Sequence, residues 1–246
     1  MPHGITVDSN GNVWVTDVAL HQIFRFPRTD TSSPDLVLGE AFVPGNDRFH
    51  FCKPTDVGIS SSGVAYIRWV RQKSVTELKF IFHPDHNSDG YCNSRIVIVN
   101  PEGKVIGSIA NGDLTVAHSV SLIEKDDLIC VADREGRRVA CYTAGLNGAQ
   151  AGKLVIDVRS RSLTRVYAID HLGDILFAVN GPDADDDRPT VVAIDLPTER
   201  LIGKFAPDGG FFEPHDIAIA ADGNSFFVSD IDRRALRKVH QFSLSA

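Results

Sequence analysis

PHDIAIAADGNSFFVSD, residues 214–230, is the stretch whose reading decides the fold. Each half alternates apolar and polar residues with a period of two, and Asp222-Gly223 between them is a hairpin turn signal. The stretch therefore reads as two antiparallel strands, opened by Pro214-His215 and closed by Asp230. Related wording recurs along the chain. PHGITVDSNGNVWVTD occupies residues 2–17, and AHSVSLIEKDDLICVAD occupies residues 117–133. PTDVGISSSGVAYI starts at Pro54 with Thr55 in the histidine's place, and a weaker copy runs from about Val166 through ILFAVN to VVAIDL. The starts are roughly 45 to 50 residues apart except for one long interval, the spacing of four-stranded propeller blades. An all-β propeller with about five blade-like units is the expected fold, and an up-and-down barrel is the competing architecture.

His3, His118 and His215 share one phase of this repeat, and the runs they open close on Asp17, Asp133 and Asp230. Equivalent positions in a ring of repeats face a common axis, so three histidines far apart in sequence can meet on one metal ion. Any one of them alone would more simply be a hydrogen-bonded residue at a strand end. Three in phase favour a metal, and three imidazoles plus an open position is the arrangement of a catalytic zinc. The other six histidines share no phase.

The composition suits an ordinary all-β domain. The 246 residues are 43% hydrophobic and 23% charged, enough to build a substantial core in a single domain spanning 1–246. The net charge of −7 comes from interspersed acidic and basic residues, so no basic stripe recommends nucleic acid. No apolar run is long enough to span a bilayer, and Met1 two residues before His3 leaves no room for a signal peptide, so either a cytosolic chain or a missing start is expected. Cys130 and Cys141 flank two adjacent strands, and Cys52 and Cys92 flank another blade. Two disulfides and an oxidising compartment follow if these pair, whereas buried free thiols are the alternative.

The second copy departs from the pattern. Where the other copies run straight into aspartate, VAYI is followed by Arg68 to Asn87 and only then by Ser88-Asp89. Removing residues 68–87 restores VAYISD, so this segment reads as an insertion inside a strand, either translated intron or a looped-out excursion.

The motifs PHGITVD, LGE, PGNDRFHFCKPTDV, SDGYCNSRIV, AHSVSL, LICVADREGRRVAC, LFAVNG and PHDIAIAADG, in this order, closely resemble the peptidyl-α-hydroxyglycine α-amidating lyase family. The resemblance covers nearly the whole chain apart from residues 68–87. It implies an NHL-repeat propeller of the six-bladed type, here incomplete because the chain begins where the family's second blade would. The implied reaction cleaves a peptide ending in α-hydroxyglycine to a peptide amide and glyoxylate. The implied setting is the secretory lumen or extracellular space, with a copper monooxygenase module as a possible pathway partner and no membrane segment in this chain.

Carried over residue by residue, the resemblance makes His3, His118 and His215 zinc ligands. Tyr91 becomes the catalytic base and Arg134 the cation that stabilises its phenolate, which a tyrosine ionising near pH 10 requires. Asp216 and the backbone carbonyl of Ile5 become ligands of a structural calcium. Cys52 is paired with Cys92 and Cys130 with Cys141. The competing functional reading is a catalytically inactive propeller or binding scaffold of the same lineage.

Overall fold

A computed structural model describes residues 1–69, 95–183, 188–220, 222–232 and 237–243 of the chain. The residues divide into two compact units, Met1–Asp113 and Leu114–Ala246. The fold is all-β and of propeller type, with five blade-like antiparallel sheets among the described residues. None of their helices is long and apolar enough to cross a membrane.

The first unit contains two blades. The first is built from β1 (Pro2–Val7), β2 (Val13–Asp17), β3 (Gln22–Phe26) and β4 (Leu36–Leu38), and the second from β5 (Asp56–Ile59), β6 (Ala65–Trp69), β7 (Arg95–Val99) and β8 (Val105–Ile109). Both are simple meanders in which each strand pairs with the next in sequence. Trp14, Ile23, Leu38, Phe51, Cys52, Val57, Ile67 and Val97 pack into one apolar layer.

Three further blades make up the second unit. They comprise β9 (Ala117–Ile123) to β12 (Leu154–Arg159) with β10 (Leu128–Asp133) and β11 (Arg138–Thr143) between them, and β13 (Val166–Leu172), β14 (Ile175–Asn180), β15 (Val191–Asp195) and β16 (Arg200–Phe205). The last blade has β17 (Pro214–Ile219), β18 (Ser225–Asp230) and β19 (Lys238–Ser243). Period-two alternation puts Cys130, Ala132, Val139, Cys141, Leu176 and Ala178 in one core, and Phe177, Val179, Phe226 and Val228 in the next, where Phe211 from the loop before β17 joins them. Cys130 faces Cys141 across β10 and β11, and the two are joined by a disulfide.

Polar rungs tie successive opening strands together. In the first unit Thr6 Oγ1 donates to the Val57 carbonyl at 2.8 Å. In the second, Ser121 Oγ lies 2.8 Å from His171 Nδ1, and the Ile219 N–H donates to Asp170 Oδ2 at 2.8 Å. The partners are separated by 51, 50 and 49 residues, one repeat in each case.

In the second blade β6 runs through Arg68 to Trp69, with Arg68 opposite Asp56 and Ile96. Arg68 is fully buried, and its Nη1 donates to Thr55 Oγ1 at 2.6 Å. The first residues of the proposed insertion thus occupy strand positions; residues 70–94 lie outside those described.

Candidate metal centre and its surroundings

One backbone device places all three phase-matched histidines. In the third blade Ala132 pairs with Ser119 and Asp133 with Ala117, so His118 is the extra residue of a β-bulge. In the fifth, Ser229 pairs with Asp216 and Asp230 with Pro214, which leaves His215 in the same situation. The register of the first blade likewise shifts between Pro2 and Ile5, around His3. A bulge bends the strand and re-aims the side chain it carries.

The aspartate closing each hairpin holds the approach to the bulge. Asp133 Oδ1 accepts from the N–H groups of Thr115 at 2.9 Å and Val116 at 3.0 Å, and Asp230 accepts from Phe212 at 2.8 Å and Glu213 at 3.0 Å. These donors stand two and three places before His118 and His215. The pairing of histidine with aspartate in the repeat therefore has a mechanical cause. Without the carboxylate, two backbone donors in a half-buried turn would lose their acceptor.

His118 and His3 are also anchored alike, each within its own unit. His118 is buried, and its Nδ1 lies 2.6 Å from the Tyr167 carbonyl oxygen. A carbonyl only accepts, so Nδ1 carries the proton and the neutral ring keeps its lone pair on Nε2. In the other unit His3 Nδ1 lies 3.0 Å from the Thr55 carbonyl, which imposes the same tautomer. Thr55 and Tyr167 each stand at the histidine phase of the copy that follows. An imidazole anchored through Nδ1 and presenting Nε2 is a metal-ready ligand, and this donor type fits zinc.

Within the second unit the rings of His118 and His215 meet edge to face with centroids 4.8 Å apart. Tyr167 packs 5.1 Å from both. The Arg134 guanidinium lies 5.1 Å from the centre of the Tyr167 ring, and the Arg165 guanidinium 5.6 Å from it. Arg134 follows the closing aspartate directly, and its N–H donates to the Val116 carbonyl at 2.6 Å. Glu135 Oε1 joins the two cations, accepting from Arg134 Nε at 2.9 Å and from Arg165 Nε at 3.0 Å. Burial works to raise the Glu135 pKa, but the bonds and charges of Arg165 and Arg134 outweigh it and hold the carboxyl below its ordinary value. Burial pushes the Tyr167 phenol up despite these two cations, so it stays neutral at physiological pH.

Of the residues singled out in the sequence, the second unit thus brings together His118, His215 and Arg134. Asp216 is exposed beside them in sequence, with Oδ1 accepting from the Ile217 N–H at 2.9 Å. In the first unit Ile5 lies in β1 opposite Val15 and Cys52 is buried. Tyr91 and Cys92 lie outside the described residues. Sequence reasoning passed over Tyr167, Arg165 and Glu135. Repeat phase could have found Tyr167, since its register, Val166 opposite Asn180 and Ala168 opposite Val179, is that of the histidine bulges.

Comparison with known proteins adds an independent line. Residues 1–26 match the NHL repeat. The chain is 37% identical over 237 residues to peptidyl-alpha-hydroxyglycine alpha-amidating lyase 2 of Drosophila melanogaster, covering 94% of this chain and 52% of that protein. It is 35% identical over 240 residues to peptidylglycine alpha-amidating monooxygenase of Rattus norvegicus, covering 92% of this chain and 22% of the rat protein. The chain therefore spans about half the fly relative and a smaller part of the rat one. Among solved structures, one described as the nidogen/laminin complex superposes with a TM-score of 0.62 at 18% identity, over 87% of this chain and 66% of the other, a likeness of fold alone.

Proposed function

We propose, from the premise that this chain is a homologue of the peptidyl-alpha-hydroxyglycine alpha-amidating lyases along nearly its whole length, that it serves the same reaction in peptide amidation. The substrate class is a peptide ending in α-hydroxyglycine, and the products are the peptide amide and glyoxylate. The observation that carries this reading is the pair His118 and His215, brought ring to ring by equivalent bulges beside Arg134. His3, which shares their phase and the tautomer of His118, is the third ligand of the proposed centre.

In this reading His3, His118 and His215 would hold a zinc ion, which when bound supplies Lewis-acid polarisation of the substrate hydroxyl. Tyr91 takes the hydroxyl proton, and the Arg134 guanidinium favours the charged phenolate. The O–H electron pair becomes the carbonyl of glyoxylate as the C–N bond breaks, and the departing amide nitrogen keeps its pair and gains a proton. Asp216 and the Ile5 carbonyl are assigned to a structural calcium, a hard cation that prefers such oxygen donors. Cys52 is assigned to Cys92. Together with the Cys130–Cys141 bond this supports action in an oxidising, secretory or extracellular setting, with a monooxygenase module supplying the hydroxylated peptide.

The test pairs metal analysis of the purified chain with an assay of glyoxylate released from a synthetic α-hydroxyglycine peptide. Equimolar zinc and glyoxylate release are expected, and both should vanish in His118→Ala. Zinc without glyoxylate would reject catalysis by this chain and leave the binding-scaffold reading.

A further inference from the structure

The fourth blade carries no histidine at the bulge, yet the bulge is built in the same way and its residue points into the same cluster. Tyr167 is 5% exposed and touches His118, His215, Arg134 and Arg165 with its ring. Its seat is shaped for a flat ring. A Cβ on Gly181 would lie 2.1 Å from Tyr167 Cε2 and 2.3 Å from Cδ2, far inside van der Waals contact, so glycine is required there by the ring lying on its backbone. The Gly181 N–H donates to the Arg165 carbonyl at 2.9 Å, which fixes this floor against the strand entering the bulge.

These contacts engage the ring and not the hydroxyl. Edge and face packing orients the two imidazoles, while the electron-rich face attracts the guanidinium groups. Arg134 is braced from its other side by Glu135, and Glu135 in turn by Arg165. We infer that Tyr167 is a positioning residue: its aromatic ring, seated on Gly181, holds His118, His215 and Arg134 in their mutual arrangement, and any flat aromatic ring of this size would serve. This rests on the lyase reading for what the arrangement is used for, but not for the arrangement itself.

The experiment measures the imidazole nitrogen chemical shifts of His118 and His215 by NMR in the metal-free full chain, alongside a thermal melt. Tyr167→Phe should leave both the shifts and the melt unchanged. Tyr167→Leu and Gly181→Ala, the second crowding the ring from below, should move the shifts of both histidines. In the glyoxylate assay Tyr167→Leu should lower kcat on the order of 100-fold, the effect of a displacement of about 1 Å, with KM changed far less. Unmoved shifts in a folded Tyr167→Leu or Gly181→Ala variant would overturn the inference. So would disturbed histidines in Tyr167→Phe, because that result would transfer the role to the hydroxyl. A chain that bound no zinc and released no glyoxylate would defeat the functional reading while leaving this measurement intact.

Discussion

Strand β10 closes its hairpin on Asp133, whereas strand β6, its counterpart in the second blade, reaches the same rung with Trp69, by way of Arg68. The first arrangement is self-contained. Asp133 is completely buried, accepts two backbone N–H groups, and receives Arg138 Nε at 2.9 Å, with Arg138 Nη1 also on Asp157 at 3.0 Å. In the second arrangement a cation occupies the interior. Arg68 is as buried as any apolar residue of its blade and reaches Thr55 Oγ1, the hydroxyl at the histidine phase. The contrast shows what the closing carboxylate does. It turns the end of a strand into a clamp for the next functional position, and in the second blade the corresponding rung, opposite Arg95, is occupied by a tryptophan in the sequence, Trp69.

The sharpest way to break the comparison is to remove the clamp where it exists. Asp133→Ala leaves Arg138 with one buried partner fewer and strands two backbone donors, so a loss of about 3 kcal/mol in urea denaturation is expected. Asp133→Asn should recover part of this, because Asn180 already does the job in the fourth blade, accepting from the Thr164 N–H at 3.1 Å and donating to the Ser162 carbonyl at 2.8 Å. Equal losses for the alanine and asparagine variants would show that the backbone bonds contribute nothing.

A smaller effect is expected on the other side of the comparison. Thr55→Val removes an acceptor of the Arg68 guanidinium and keeps the side-chain shape, which should cost about 1–3 kcal/mol by the same measurement. No change would mean that the Arg68–Thr55 bond is incidental to the second blade. The smallest effect concerns Glu135, next to the clamp. Its pKa is depressed in the folded state, so its stabilisation is present at neutral pH and is lost as pH falls through the folded value. The difference in urea midpoint between wild type and Glu135→Gln should therefore shrink on acidification below the ordinary carboxylate range. A difference that grew on acidification would contradict the assignment of Arg165 and Arg134 as its stabilising partners.

Much of this fold could be read from residues alone, because hairpin turns and period-two alternation are local signals. Asp222-Gly223 and Asn10-Gly11 mark their turns, and the strands Pro2–Val7, Leu128–Asp133 and Ser225–Asp230 fall where alternation puts them. The Cys130–Cys141 bond was legible for the same reason, the two residues being register partners across one tight turn. The site was legible only where the repeat spelled it with histidine. Tyr167 occupies the same bulge but belongs to the weakest copy, and its importance lies in contacts with three residues spread from His118 to His215 that no local pattern encodes. Glu135 and Arg165 look like ordinary surface charges in sequence, and only their shared proximity to Arg134 sets them apart. Arg68 and Trp69 illustrate a related point. A segment that reads as foreign to the repeat can still donate its first residues to a strand, because backbone pairing is indifferent to side-chain identity.

That indifference has a wider consequence at the histidines. The groups that fix the tautomers of His3 and His118 are main-chain oxygens, one supplied by a threonine and the other by a tyrosine. The repeat that follows each ligand can thus carry a different residue at that place, a small hydroxyl in one case and a large ring in the other, and still offer the imidazole before it the same proton acceptor. Copies of a duplicated unit can in this way diverge in chemistry while continuing to support one another's.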